Sequence, residues 1–346
     1  MFAADTLPPQ LDSVTTRDQK VIHRWSLPGE PRGLAIGSDG TIYVGLAQPQ
    51  AVLAIDPKSG AIKKKVVLDS ADIASTKELV TLRTNPERTR LYIANGSDES
   101  ATILSLPDLA VLREITTEGE PLRDALPDPR GRYLFLLGRS VHVYDIQGET
   151  EIHTIALTEP MAIAISSNGS TLAVVVNNDF GNAKATAVAL YDTTNFRELV
   201  RDPLQTTERI EAALFADGDR SLVAISSDHL FEKELVTRPA KAMVAGANGT
   251  MRMPIEFGDL VNSQRICLPD KSGPQILAAA GGNQIVFAER RCNSSGAFSG
   301  SASHIVPTSV YGVDAYAITA DANAVVATER AGFLTIYRVP RAPAVK

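Results

Sequence analysis

The chain has 346 residues and a formal net charge of −6, with 44% hydrophobic and 21% charged residues. This composition supports a large folded core and excludes a chain that is disordered throughout. No run approaches the roughly 18 consecutive apolar residues of a membrane-spanning helix. The acidic balance, without a basic stripe that carries interleaved aromatic residues, argues against nucleic-acid binding.

The N-terminal residues 1–19 are polar and contain prolines, and we predict a tail there. Met1–Asp5 lacks the basic start and the apolar middle of a signal peptide. Ala3–Asp5, followed by Thr6–Pro9, is typical of the N-terminus that remains once a signal peptide has been removed. The pattern therefore favours a periplasmic or secreted protein, and a plain cytoplasmic start is the alternative.

The segment 20–28 has the pattern of a single strand, and the segment 29–68 then contains four strand patterns separated by turn signals. β-Branched and aromatic residues are concentrated around Thr41–Val44, as is typical of strands. Ser38–Gly40 and Asp56–Gly60 carry the Asp, Pro, Ser and Gly residues that favour turns. Short strands joined by tight turns predict one small antiparallel sheet.

This unit recurs along the chain. An acidic residue or a Gly-Pro pair precedes the first strand of each unit, and later patterns such as Arg90–Asn95 and Tyr133–Leu137 follow in register. A period near 40 residues with four strands per repeat indicates a β-propeller. We predict one all-β domain, a seven-bladed β-propeller of four-stranded antiparallel blades, over residues 20–342, with a tail at 343–346. The predicted blades are 29–68, 69–117, 118–157, 158–207, 208–271, 272–312, and 313–342 together with strand 20–28.

The last unit explains the isolated N-terminal strand. Only three strand patterns follow residue 313, so the segment 20–28 is expected to become the outermost strand of the last blade. This arrangement closes the ring and leaves only short sheet edges exposed.

Two segments, Pro31–Val44 and Tyr92–Asn95, resemble the repeats of the YVTN-type seven-bladed β-propellers, a group with lactonase-like and WD-like members. The resemblance covers nearly the whole chain and implies the fold. Because the group is functionally mixed, the resemblance implies no activity.

Charged residues precede or begin most of the predicted first strands, and in a closed ring they converge at one mouth of the central channel. The arginines could bind an anion and the carboxylates a divalent cation. Alternatively, these side chains pair with one another and stabilise the ring. The candidate ligand-binding residues are Glu30, Arg32, Glu120, Arg123, Asp124, Glu159, Arg209, Glu211 and Asp314.

Motifs of known propeller enzymes are missing from the sequence. The His-Pro-Arg motif of phosphogluconolactonase-like propellers has no counterpart. The strand that begins Pro160–Ala162 lacks the Asn expected of a gluconolactonase-like metal site, and Trp25 is the only tryptophan, which argues against the repeated docking motif of quinoproteins. We therefore predict no catalytic residue, no resident metal and no cofactor. A metal-dependent hydrolase or lactonase-like enzyme, with a divalent cation at the acidic mouth, is the alternative.

Two further residue pairs leave alternatives open. His142 and His153 flank the Ile146–Glu149 turn and could bind a metal from neighbouring strands, but no third ligand is evident, so two partly exposed strand residues are favoured. Cys267 and Cys292 are the only cysteines, and they either bridge adjacent blades or remain separate thiols.

The segment 228–262 departs most from the repeat pattern, and insertions in repeat proteins often carry binding sites. We therefore predict a non-catalytic binding or scaffold propeller, monomeric and outside the cytoplasm. It is expected to recognise a protein or a small ligand either at the channel mouth or at the 228–262 insertion.

Overall fold

The structure is a computed structural model, and it consists of β-strands and turns in every range that it describes. It describes residues 21–47, 50–68, 79–96, 99–117, 119–180, 183–204, 210–216, 219, 221–226, 230–234, 236–238, 241–243, 260–266, 274–281, 284–292, 298–307, 313–318, 324–329 and 332–338.

Most strands are five to seven residues long, and they are numbered here in chain order. They are β1 Val21–Ser26, β2 Pro31–Ile36, β3 Ile42–Leu46, β4 Ala51–Ile55, β5 Ile62–Val67, β6 Leu79–Thr84, β7 Arg90–Asn95, β8 Ser100–Ser105, β9 Val111–Thr116, β10 Asp124–Pro127, β11 Tyr133–Leu137, β12 Val141–Asp145, β13 Thr150–Ile155, β14 Pro160–Ile165, β15 Thr171–Phe180, β16 Ala183–Asp192, β17 Glu198–Pro203, β18 Ile210–Ala216, β19 Ser221–Ser226, β20 Leu230–Glu234, β21 Val236–Arg238, β22 Lys241–Met243, β23 Leu260–Ile266, β24 Pro274–Gly281, β25 Gln284–Cys292, β26 Phe298–Pro307, β27 Val313–Ile318, β28 Ala324–Glu329 and β29 Phe333–Arg338.

Consecutive strands pair antiparallel into small sheets. The first to fourth sheets are β2–β5, β6–β9, β10–β13 and β14–β17, the fifth is β18–β20, and the sixth is β23–β26. A separate hairpin, β21–β22, lies between the fifth and sixth sheets along the chain. The terminal sheet has the order β1, β29, β28, β27, so the N-terminal strand is the outer neighbour of the last strand.

The sixth sheet differs from the predicted blade boundary at residue 272. Leu260–Ile266 is the first strand of this sheet, whereas the sequence pattern placed it at the end of the preceding unit. The polar residues in the middle of this strand hide its alternation, and the apolar Ile276–Ala280 that follows has the stronger strand signal. The strand predicted first in that unit is therefore second in the sheet.

The sheets follow one another through contacts between their first strands. In the described ranges β2 contacts β6, β6 contacts β10, and the series continues through β14, β18, β23 and β27 back to β2. Each first strand begins at the end of its sheet where the second strand turns into the third, because Pro31 pairs with Leu46 and Leu46 with Ala51. We call this the mouth end, and the opposite side the far end.

The core lies between neighbouring sheets. Successive side chains of a strand point to opposite faces, so one sheet contributes to two clusters. Val44 and Leu53 pack toward the terminal sheet, and Tyr43 and Val52 pack toward the second sheet. Each of these four side chains is almost fully buried. The apolar residues of the second and third strands thus hold the sheets face to face.

At the far end, turns bind the next sheet through hydrogen bonds. Arg88 of the second sheet donates to the carbonyl of Gly37 in the first sheet at 3.4 Å. Arg130 of the third sheet donates to Thr193 of the fourth at 3.0 Å, and Ser167 of the fourth donates its backbone N–H to Asp219 at 2.9 Å. These far-end turns therefore link neighbouring sheets as well as reverse the chain.

A buried carboxylate fixes the N-terminal strand in the terminal sheet. Glu329 is fully buried and accepts hydrogen bonds from Arg24 at 2.7 Å, Thr335 at 2.6 Å and Tyr337 at 2.9 Å. Arg24 also stacks over the ring of Phe333 at 4.3 Å. Arg24 lies on β1, Glu329 on β28, and the two hydroxyl donors on β29. The cluster therefore joins the N-terminal strand to the last two strands.

Candidate binding site at the mouth end

The mouth end of the first sheet carries Glu30 and Arg32. Their side chains form a salt bridge at 2.9 Å, and both are partly exposed. Arg32 lies on β2 and Glu30 directly precedes that strand. An exposed pair of this kind contributes little to stability.

Asp124 begins β10 and binds the second sheet rather than a neighbour in the predicted group. Its carboxylate accepts two hydrogen bonds from Arg83, at 2.7 and 2.6 Å, and the Oγ1 of Thr81 lies 3.3 Å away. Asp124 is largely buried, and a bidentate Arg–carboxylate pair is geometrically specific. Arg83 was not predicted from the sequence. Arg83 lies two residues after Thr81 on β6, so the two side chains lie on the same face of the sheet. This spacing is the sequence signal that could have indicated Arg83.

The next two predicted residues meet where the third and fourth sheets adjoin. Arg123 donates to the carbonyl of Pro160 at 3.0 Å. Glu159, which directly precedes β14, accepts a hydrogen bond from the Asn177 side chain at 2.8 Å, and its backbone carbonyl accepts one from the Asn177 N–H at 3.1 Å. The structure thus brings Arg123 and Glu159 to one place on the mouth end. Glu30 lies at the first sheet, and Asp124 is paired with Arg83 of the second sheet.

Glu120 lies in the connection between β9 and β10, and one of its oxygens is bound by three donors. Its Oε2 accepts the backbone N–H groups of Arg139 and Ser140 at 3.0 and 3.1 Å and lies 3.0 Å from Nε2 of His142. The other ring nitrogen of His142 lies 3.0 Å from Glu151. The hydroxyl of Thr154 also donates to Glu151. His142 therefore lies between two carboxylates.

This arrangement shifts all three ionisation equilibria. Burial lowers the pKa of His142, but the hydrogen bonds and charges of Glu151 and Glu120 raise it above its ordinary value. Burial raises the pKa of Glu120, but the hydrogen bonds from His142 and the backbone N–H of Ser140 lower it by more, so the net pKa is below its ordinary value. Hydrogen bonds from Thr154 and His142 outweigh burial in the same way and lower the pKa of Glu151. The imidazolium and the two carboxylates stabilise one another.

The two histidines considered as a metal pair do not face each other. His142 is paired with Thr154 and His153 with Val143, so the two rings lie on opposite faces of the third sheet. His153 stacks on Phe196 with ring centroids 5.0 Å apart. The favoured interpretation of separate strand residues fits His153, while the carboxylate partners of His142 were missed because Glu120 and Glu151 lie 22 and 9 residues away.

The remaining predictions fall mostly outside the part of the chain that the structure describes. Arg209 and Cys267 lie outside the described residues, as does most of the 228–262 insertion. Glu211, Asp314 and Cys292 lie in β18, β27 and β25, and only the backbone of these three residues is described. The disulfide and this part of the mouth group stay predictions.

A projecting hairpin is the most prominent feature of the mouth end that the sequence did not indicate. β15 and β16 are ten residues long, and their register runs from Thr171↔Asp192 to Phe180↔Ala183. The neighbouring strands are shorter: β14 pairs with β15 only as far as Pro160, and β17 pairs with β16 only as far as Pro203. Beyond Asn177 and Thr186, three residue pairs belong to this hairpin alone, which is roughly 10 Å of strand.

The site combines a mixed-charge surface with a projecting two-stranded segment. In the described residues no group of three or more His, Cys, Asp or Glu side chains has the arrangement of a metal site. None of the described segments is a helix with the length and hydrophobicity needed to cross a bilayer. Hydrogen-bonded charges and strand edges are suited to recognising another polar surface.

The successive four-stranded antiparallel sheets and their contacts define the fold as a β-propeller. Comparison with solved structures agrees. The chain is similar to the Kuenenia stuttgartiensis hydrazine synthase (12% identity, 92% of this chain and 97% of that chain covered, TM-score 0.69). It is also similar to a chain of a mitotic checkpoint complex (14% identity, 99% and 99% covered, TM-score 0.68) and to the β-propeller domain of Myceliophteria thermophila Cps50, also called Swd1 (12%, 93% and 100%, TM-score 0.70).

These likenesses are far below the identity at which function can be inferred, so they establish the fold alone. No protein-family description matches the sequence, and no curated protein matches it. The resemblance to YVTN-type repeats therefore stays a prediction.

Proposed function

We propose that this protein is a non-catalytic scaffold that binds a protein partner through the mouth end of a seven-bladed, YVTN-type propeller. The series of first-strand contacts from β2 through β27 and back to β2 supports seven blades, with β18–β20 as the irregular one. The likeness to a chain of the mitotic checkpoint complex supports a role in protein assembly. The alternative is that the same mouth end binds a small ligand instead of a protein.

The observation that carries the proposal is the hairpin beyond Asn177 and Thr186. Among the described residues its two strands pair only with each other, so within that part of the chain both outer edges offer backbone N–H and C=O groups for pairing. An extended partner segment can add to such an edge, with affinity from main-chain hydrogen bonds. Asn177 anchors the base of the hairpin to Glu159, next to Arg123, so a bound partner would also meet the mixed charges of the mouth.

Replacing residues 178–185 by Asn-Gly is expected to abolish partner binding and leave the fold intact. The new two-residue turn suits a hairpin that ends at Asn177 and Thr186, and the deleted pairs contribute little because they lie outside the four-stranded part of the sheet. Binding is measured by cross-linked affinity capture from the source cells with quantitative mass spectrometry. Proteins that recognise the hairpin should fall at least about tenfold in yield, since each 1.4 kcal/mol of lost binding is a factor of ten.

A matched control changes the far end instead. Lys58 and Asp108 are exposed in far-end turns, and the K58A/D108A variant should retain every partner of the wild type. If the shortened hairpin and the control retain the same proteins equally, the hairpin is not the recognition surface. If the wild type retains no saturable partner, the scaffold proposal fails.

A divalent cation at the mouth is the property that would favour the hydrolase alternative. Glu30 is bound by Arg32 and Glu159 by Asn177, so we expect calcium and magnesium to leave the thermal unfolding temperature unchanged. A cation that binds the folded state, present at a free concentration of 100 times its Kd, would stabilise the fold by about 2.7 kcal/mol, which is easily detected. Elemental analysis and thermal titration of the wild type and the E30Q/E159Q variant test this. A stoichiometric metal and an upward shift lost in that variant would contradict the non-catalytic proposal.

We further propose a periplasmic or secreted location and a monomeric state. The pairing of β1 with β29 would satisfy the edge of the terminal sheet within one chain and so supports a monomer.

A further inference from the structure

His142 contacts more hydrogen-bond acceptors than a neutral imidazole can satisfy. Both ring nitrogens lie 3.0 Å from carboxylate oxygens, those of Glu120 and Glu151. A neutral imidazole has one N–H, whereas an ionised carboxylate can only accept, so both hydrogen bonds form together only with the imidazolium. The geometry therefore depends on a proton on His142.

We propose that His142 is a pH-operated clamp of the third sheet, which is closed when the ring is doubly protonated and opens on the Glu151 side when the ring loses a proton. The clamp joins the connection that carries Glu120, strand β12 that carries His142, and the outermost strand β13 that carries Glu151. The proposal concerns the sheet itself and does not depend on the binding function of the mouth.

The opening occurs at Glu151 because water can replace that bond more easily. The Glu120 side chain is 20% exposed and its Oε2 keeps two backbone N–H donors, whereas the Glu151 side chain is 42% exposed. A neutral ring keeps its single N–H on the less solvated carboxylate, since an unpaired buried charge is costlier than an exposed one. Glu151 then keeps the hydroxyl of Thr154, on its own strand, and solvent replaces the bond to His142.

The Glu151–His142 bond lies where the backbone pairing of β13 is irregular. The β12–β13 ladder has a register shift between Val143 and Tyr144, and Glu151 lies opposite Tyr144, directly at the irregularity. A bulge leaves part of the ladder unpaired, so the Glu151–His142 bond supplies a link where the backbone ladder is interrupted. When that link is lost, the start of β13 is held by fewer interactions than before.

The other groups around the ring do not replace either carboxylate. Leu136 of β11, the ladder partner of His142, is apolar, and Arg139 contributes its backbone N–H to Glu120. Arg113 of β9 reaches the same face of β12, but it binds the hydroxyl of Tyr144 and forms an ion pair with Glu149. Glu120 and Glu151 are thus the charges that face the ring from the elements packed against it.

The sign of the pH dependence follows from the raised pKa of His142. The clamp contributes its full stability below the pKa of histidine in the unfolded chain, near 6.5. The contribution is lost as pH rises through the higher pKa of the folded state. The clamp is therefore closed in mildly acidic solution and opens on the alkaline side.

The test is an NMR titration of protein with labelled histidine, in which the H142Q variant assigns the His142 signal among the five histidines. The E151Q variant should lower the midpoint of the His142 titration. The E198Q variant is the control, because Glu198 lies on the corresponding outer strand β17 and pairs with Arg201 instead of a histidine. It should leave the His142 midpoint at the wild-type value.

Hydrogen exchange provides the second measurement. After correction for the intrinsic rates, the first amides of β13 should exchange on the order of tenfold faster above the His142 midpoint than below it. In E151Q, exchange should be fast on both sides of that pH. An unchanged midpoint in E151Q, or β13 protection that does not follow His142 protonation, would overturn the proposal.

Discussion

The Arg24→Met variant is expected to lose about 3 kcal/mol of the free energy of unfolding, or more. Glu329 is fully buried, and Arg24 is the only charged donor among its three described partners, the other two being the hydroxyls of Thr335 and Tyr337. Methionine keeps much of the packing volume but leaves the carboxylate without a counter-charge. The measurement is the shift of the urea unfolding midpoint, with the slope checked for constancy.

The reverse substitution separates charge from packing. In E329Q the remaining Arg24 is 27% exposed and can turn toward solvent, so the loss should be smaller, about 1–2 kcal/mol. Arg113→Met serves as the matched control, because its partner Glu149 is largely exposed and surface pairs contribute less than about 1 kcal/mol. If R24M is no more destabilised than R113M, the buried carboxylate does not hold β1 in the terminal sheet.

The Gly169→Ala variant should be destabilised by about 3 kcal/mol, from left-handed backbone strain of roughly 1–2 kcal/mol together with a steric clash. Gly169 has φ +72°, and an added Cβ would lie 2.4 Å from Oδ1 of Asp128 and 2.7 Å from Nε of Arg130. Asp128 is fully buried and binds Arg130, which donates to Thr193. Thr193 in turn donates to the carbonyl of Gly169 at 2.6 Å. The substitution therefore disrupts the link between the third and fourth sheets.

Gly131 provides a control with the same backbone angle. Its φ is also +72°, but an added Cβ would meet no atom within 4 Å. G131A should thus cost only the backbone strain, about 1 kcal/mol. The difference between the two variants in urea unfolding measures the clash alone. Equal losses would mean that the Asp128–Arg130 pair adapts without cost and that this link does not fix the two sheets.

The propeller fold was predictable because its strands and turns are local signals. Thr41–Val44 alternates apolar residues between two faces, and Asp56–Gly60 has the composition of a turn, and both segments have the predicted structure. The β23 strand was assigned to the wrong unit because its polar middle, Asn262–Arg265, weakens that alternation. Predicting which sheet a strand joins requires its long-range partner, and a local pattern does not contain that information.

The mouth end was predictable only in part. The position of Glu159 and Arg123 followed from the repeat, because both precede or adjoin a first strand. The pairing of Asp124 with Arg83 and of Glu120 with His142 did not, since each links segments that are 22 to 41 residues apart. The length of β15 and β16 was also missed, because Asn177–Asp179 resembles a turn in composition although it continues the ladder.

The sharing of the terminal sheet between the two ends of the chain has a consequence for biosynthesis. Arg24 and Glu329 are 305 residues apart. At about 5–20 residues per second, β1 leaves the ribosome between roughly 15 and 60 s before its partner strand β29 is made. Sheets such as β2–β5 consist of consecutive strands and can assemble while synthesis continues. The terminal sheet is completed only after translation has passed Arg338, and until then β1 cannot form its ladder with β29.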